Sequence, residues 1–270
     1  RIFFVLIMVF IITLAAGIGV PVNADPTPTY QWAVPSTAGV HPSYVAVNSS
    51  GYVYITDQVT CSIWVYTSDG TYVSQWGSRG TGNGQFLLSK GIAVNASGYV
   101  YVADTGNNRV EVFTPSGGYV KQWGSRGTGD SQFSSPVGIA VNASGYVYVA
   151  DTGNNLVKVF TPSGEYNGQW GSSGAGSLYG PRGIAVDASG YVYVAQVSTI
   201  NKYTPDGTYL GNLGYYSGTD FYGISIGPGG NVYAVDLGKK QIIEITSSGT
   251  YVTQWGSTGP GNSQFMLPYG

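Results

Sequence analysis

Side chains able to do chemistry are few in this chain, so their spacing decides what they can build. His41 is the single histidine among 270 residues, and a multi-histidine zinc or lyase site cannot be assembled from it. The same scarcity removes any repeated serine–histidine pairing for nucleophilic catalysis. Carboxylates such as Asp69, Asp130, Glu165, Asp206 and Asp220 are scattered over turn-like segments at no common interval. Asp104 with Asn107 and Asn108, and Asp151 with Asn154 and Asn155, gather the oxygens that calcium takes. Each cluster holds one carboxylate and departs from the EF-hand spacing, so Asx side chains capping a tight connection account for it more simply. The stretches 77–84 and 124–129 have the glycine content of a phosphate cradle. A cradle needs a following helix to supply its free amides, whereas Gln85-Phe86 and Gln132-Phe133 lead into strand-like sequence. Those stretches are expected to be connections. Cys61 stands alone, forms no internal disulfide, and reads as a small loop or core residue. No catalytic residue, metal ligand or cofactor site is assigned.

Three Asn-x-Ser sequons begin at Asn48, Asn95 and Asn142. An Asn-x-Ser-Gly sequence forms a turn unaided, and in an exported protein the same asparagines are candidate glycosylation sites. Both readings are open.

The elements that position these residues come from an internal repeat. Residues 91–108 read GIAVNASGYVYVADTGNN, and residues 138–155 repeat them without a change. Trp32, Trp76, Trp123, Trp170 and Trp255, with Leu213 in the same frame, recur every 42 to 47 residues. That period, rich in Val, Ile and Tyr, is the length of one four-stranded propeller blade. Within the unit 91–123, strands are predicted at 91–94, 99–103, 109–114 and 119–123, separated by Gly, Asn, Pro and Ser turns. Residues 99–103 show no polar alternation, as expected of a sheet covered on both faces.

The phrases Gly91-Ile-Ala-Val94, Gly98-Tyr-Val-Tyr-Val-Ala-Asp104 and Thr105-Gly-Asn-Asn-Arg-Val110, with weaker copies at 45–57, 183–195 and 223–236, resemble the NHL-repeat propellers over nearly all of 30–270. The resemblance implies an all-β fold, a ring of four-stranded antiparallel blades, six in the whole protein. It also implies a binding platform, although some members are similar to lyases that use metal-bound histidines. The fourth unit departs from the pattern: Gln196-Val-Ser-Thr stands where Asp-Thr-Gly-Asn-Asn is expected, and Leu213 stands for tryptophan. A shorter hairpin is expected there.

Five complete blades are expected at about 42–76, 89–123, 136–170, 181–213 and 222–255. Residues 30–34 would be the outer strand of a sixth blade whose three inner strands follow Gly270; a closed five-bladed ring is the alternative. Just ahead of each first strand stand Ser43, Lys90, Val137, Arg182, Tyr222 and Tyr269. They differ between repeats, so the scaffold does not dictate them. In a propeller this point lies near the mouth of the central channel, and Ser43, Lys90, Arg182 and Tyr222 there could hold an anionic or sugar-like ligand by hydrogen bonds and stacking. A solvated rim with no ligand is the alternative.

Residues 2–20 form an apolar run behind Arg1, and Val22 and Ala24 are placed as in a cleavage site. Residues 1–24 are expected to be a secretory signal, or an uncleaved anchor that would be the chain's only contact with a membrane. The absence of a leading methionine is expected of a fragment. With 11 Lys and Arg and a net charge of −2, the chain has no basic field for nucleic acid. The expected function is an extracytoplasmic, secreted or cell-surface scaffold that binds a protein, glycan or cell-envelope component. The alternatives are a metal-dependent lyase or lactonase-like enzyme, and a structural envelope component.

Overall fold

The computed structural model describes residues 41–259 and 264–270; the expected signal or anchor at 1–24 and the strand expected at 30–34 lie outside the described residues. Five repeats each fold into a four-stranded antiparallel sheet with its strands in chain order. The sheets cover 42–76, 89–123, 136–170, 183–215 and 221–255, and are called blades 1 to 5 below. The fourth blade runs two residues past Leu213, because its outer strand continues through Tyr209–Tyr215.

Burial falls from the middle of each blade outward. The second strands Val100–Asp104 and Val147–Asp151 are buried at every residue, since the neighbouring blades cover both faces. The outer strands are the most exposed, Tyr72–Trp76 with three of its five residues open to solvent. Turns follow the sequence closely. The Asn95 carboxamide oxygen accepts from the N–H groups of Ser97 and Tyr99 at 3.1 and 2.9 Å, an Asx turn that closes the first hairpin. In blade 4 Asp187 makes the same turn, accepting from Ser189 and Tyr191.

Between blades, the tryptophan that ends one outer strand packs on the next blade. Trp76 lies 4.6 Å from Phe113, and Trp123 lies 5.5 Å from Phe160, centroid to centroid. A Cβ at Gly117 would stand 2.4 Å from the Trp76 ring, so this turn needs glycine for the close approach as well as for its positive φ. Phe86, Phe133, Leu178 and Phe265, carried by the interblade connections, are buried as plugs. Leu213 replaces tryptophan in blade 4 and packs against Gly249 of blade 5.

The first strands meet one another around the axis, as expected of the innermost position. A Cβ at Gly138 would stand 2.2 Å from the carbonyl oxygen of Arg182, and Gly91 and Gly183 approach the carbonyls of Val137 and Tyr222 in the same way. Gly223 of blade 5 continues the series by approaching the Tyr269 carbonyl, and Gly270 abuts the ring of Tyr44 in blade 1. Among the described residues the inner ring therefore has six places: blades supply five, and Tyr269-Gly270 fills the sixth, between blades 5 and 1.

Candidate functional site

Four of the five first strands carry a β-bulge at their start. Ser89 faces Asp104 and Ile92 faces Val102, so Lys90 and Gly91 share one partner residue. The same irregularity falls at 42/45, 136/139 and 221/224. A bulge adds a residue to one strand and re-aims its side chain. The residues ahead of the glycine places, including Lys90 and Tyr222, sit in these bulges at the end of the channel shared with the second-to-third connections.

Several of them come together there. Arg182 of blade 4 lies over the Tyr222 ring of blade 5, its guanidinium carbon 4.2 Å from the centroid. Tyr222 meets Tyr269 edge to face at 5.3 Å. The Arg182 Nη1 donates to the Asp220 carboxylate at 2.5 Å, with both side chains partly exposed. Tyr44 of blade 1 stands on the far side of Tyr269-Gly270 from Tyr222, in the place that glycine holds in the other blades; its ring packs on Gly270. Its hydroxyl lies within electrostatic reach of Tyr222, Arg182 and Tyr269, yet it is buried without a hydrogen-bond partner. Burial pushes this phenol well above the ordinary tyrosine range, the neighbouring tyrosines adding to the shift and Arg182 opposing it.

Lys90 is half-buried and has no ion-pair or hydrogen-bond partner for its ammonium among the described residues. Burial holds it below the ordinary lysine range, and the Arg182 guanidinium across the mouth lowers it further. Two cations and one carboxylate thus leave a positive charge uncompensated. Of the other predicted rim residues, Val137 is buried and forms an apolar wall. Ser43 does not belong to the accessible set: it is 2% exposed, and its hydroxyl accepts from the Gln58 side-chain amide at 2.5 Å. Tyr44 and Asp220 were not singled out from sequence. Tyr44 carried a signal, being the one non-glycine in its frame; Asp220 carried none.

The oxygen clusters turn out to be staples. The Asp104 carboxylate accepts from the Leu87 N–H at 2.8 Å, the Asn107 amide at 2.6 Å and the Arg109 Nε at 2.8 Å. Asp151 accepts from the Ser134 N–H at 2.7 Å and the Asn154 amide at 2.8 Å. These donors occupy the oxygens a cation would need, and they tie the interblade connection to the second-to-third hairpin. No group of three or more His, Cys, Asp or Glu among the described residues could hold a metal ion. Blade 4 keeps the staple with a longer side chain, the Gln196 Oε1 accepting from the Tyr179 N–H at 2.7 Å, across the shorter hairpin expected there.

The glycine-rich stretches are the interblade connections. In the first, Ser78–Arg79 pairs in parallel with Gln85–Phe86, and the Gln85 side chain accepts from the Gly82 N–H at 3.0 Å. Arg109 of the next blade pins this connection through the carbonyls of Thr81, Gly82 and Gln85. In the second, Leu156 stands where Arg109 would, and Lys158 does the pinning through the carbonyls of Gly129 and Gln132, both at 2.5 Å. His41 is exposed, and its backbone N–H donates to Asp57 at 2.9 Å. The three sequon asparagines are half-buried. Each donates its side-chain amide to a tyrosine hydroxyl, Tyr54, Tyr101 or Tyr148, at 3.3–3.4 Å. Cys61 is buried, in a left-handed turn.

Against known proteins, the NHL repeat model matches residues 90–113 and 133–160. Among solved structures, the chain is similar to virginiamycin B lyase from Staphylococcus aureus at TM-score 0.62 and 20% identity, over 82% of this chain and 72% of that one. A catalytically inactive histidine-to-alanine form of that lyase, solved with quinupristin, gives 0.63 and 18%, with the same coverage. A chain in the nidogen/laminin complex gives 0.63 and 18%, over 78% of each chain. At these identities the likeness is one of fold. No curated protein sequence matches significantly.

Proposed function

The chain is an NHL-repeat β-propeller, and on that premise we propose that it is a binding scaffold whose ligand face is the channel mouth. The observation that carries this reading is Lys90. A half-buried ammonium with no acceptor among the described residues has no structural task in a blade whose other deep cation, Arg109, is fully bonded. A ligand oxygen beside the Arg182–Tyr222 stack would satisfy it. The ligand class is a protein, a glycan or another cell-envelope component, met outside the cytoplasm if the apolar run at 2–20 acts as an export signal. The nidogen/laminin neighbour supports protein binding only through the shared fold.

The lyase reading is weaker on one specific point. Replacing a histidine is what inactivates the lyase form among the neighbours, and here His41 is the single histidine, exposed ahead of the first strand. The test is glycan and extracellular-protein array binding by the purified chain and by a Lys90→Ala/Arg182→Ala double variant. The reading expects the array ligands to be lost, by at least about tenfold for two charge-assisted contacts. Undiminished binding by the double variant overturns it.

A further inference from the structure

Resting on that reading, we propose that the channel mouth takes one carboxylate carried on a sugar ring, that is, a hexuronate unit of an acidic glycan. Two donors in the mouth lack acceptors: the Lys90 ammonium and the Tyr44 hydroxyl. They come from different blades and are separate observations, one a half-buried charge and the other a phenol only 8% exposed. The Tyr44 hydroxyl is buried with no partner of its own, beside Arg182, Tyr222 and Tyr269, so an acceptor would reach it only by entering among those side chains. Two donors suit the two oxygens of a carboxylate.

Charge selects among anions. Arg182 is already paired with Asp220, so the mouth carries one positive charge in excess. A monoanion neutralises it, whereas a phosphate monoester near its dianionic form would bring a second, unpaired negative charge into a half-buried site. The walls select what carries the carboxylate. Tyr222 and Tyr269 are half-buried, set edge to face, and one face of Tyr222 is already covered by Arg182. The remaining aromatic surface fits the apolar C–H face of a pyranose ring. An aspartate or glutamate side chain would bring the anion with no ring to lay on it.

The test is calorimetric titration of the whole chain with tetragalacturonate and with its fully methyl-esterified form, which keeps the rings and removes the charge. The free acid is expected to bind at least tenfold more tightly than the ester. Lys90→Gln is expected to weaken acid binding at least tenfold. Tyr44→Phe, which keeps the ring on Gly270, is expected to weaken it about fivefold, the loss of one hydrogen bond. Equal binding of acid and ester, or acid binding unmoved in both variants, overturns the inference. So does tighter binding of mannose 6-phosphate or of an acetylated aspartate-rich peptide. If these probes fail while an array ligand still depends on Lys90 and Arg182, the hexuronate is wrong and the binding face stands. If no array ligand depends on them either, the face itself is wrong.

Discussion

Lys90 and Arg109 belong to the same blade, and the fold treats them in opposite ways. Arg109 is buried, and its guanidinium meets Asp104, Gln122 and three carbonyls of the preceding connection. Lys90 is half-buried and meets nothing among the described residues. One cation joins two blades at the crossover, and the other waits at the channel. The crossover also tolerates a change of means: in blade 3 the cation moves two places along the strand, from the position of Arg109 to Lys158, and still reaches the connection's carbonyls. A task that survives such a move is structural. The channel residues show no such equivalence, since lysine, valine, arginine and tyrosine replace one another there with different partners.

The widest separation between the two regions comes from removing the crossover cation. Arg109→Met is expected to destabilise the protein by about 3–5 kcal/mol, because Asp104 and Glu111 are left buried beside an apolar side chain. Urea unfolding measures it. A loss under about 1 kcal/mol would mean that the connection holds itself and that Arg109 only fills space.

A second and smaller effect lies in Glu111, next to Arg109. Burial pushes its carboxyl up to about 7, and the Arg109 charge only partly opposes this. One carboxyl oxygen has no partner, which favours the protonated form. The acid then binds its proton more tightly folded than unfolded, so stability is full below about pH 4.5 and falls as pH rises through about 7. One proton limits the slope to about 1.4 kcal/mol per pH unit. Glu111→Gln is expected to flatten that part of the stability profile, separating it from Asp104 and Asp151, whose carboxyls burial also raises. A variant whose profile between pH 5 and 7.5 matches the parent's would show that Arg109 keeps Glu111 ionised.

Much of this contrast is legible in the sequence alone. The tryptophan period and turn residues mark out the blades, because the same packing recurs in each. The aligned positions ahead of the first strands locate the mouth, because side chains that vary in an otherwise repeated frame are not needed for packing. What sequence could not carry was register. The bulges that place Lys90 and Tyr222 arise from pairing two residues against one, which leaves no compositional mark. Ser43 occupies the right frame but is claimed by Gln58, a residue in the second-to-third connection of its own blade. Asp220 reaches Arg182 from a different repeat, and Lys158 does the work of Arg109 from another position.

The smallest effect is the most discriminating because its sign reverses. Replacing Arg109 removes an ion that neighbours need; replacing Lys90 removes one that nothing among the described residues needs. Its half-burial and the Arg182 charge across the mouth already disfavour the ammonium, so the folded state bears a small cost that methionine would relieve while keeping the aliphatic stem. Lys90→Met is expected to raise stability by about 0.5–1 kcal/mol, the lower part of the range for single stabilising substitutions, while abolishing ligand capture at the mouth. Thermal and urea unfolding of the variant beside the parent read the sign. A destabilised variant would mean that the Lys90 ammonium supports the blade, and the line between a structural crossover and a functional mouth would then no longer hold.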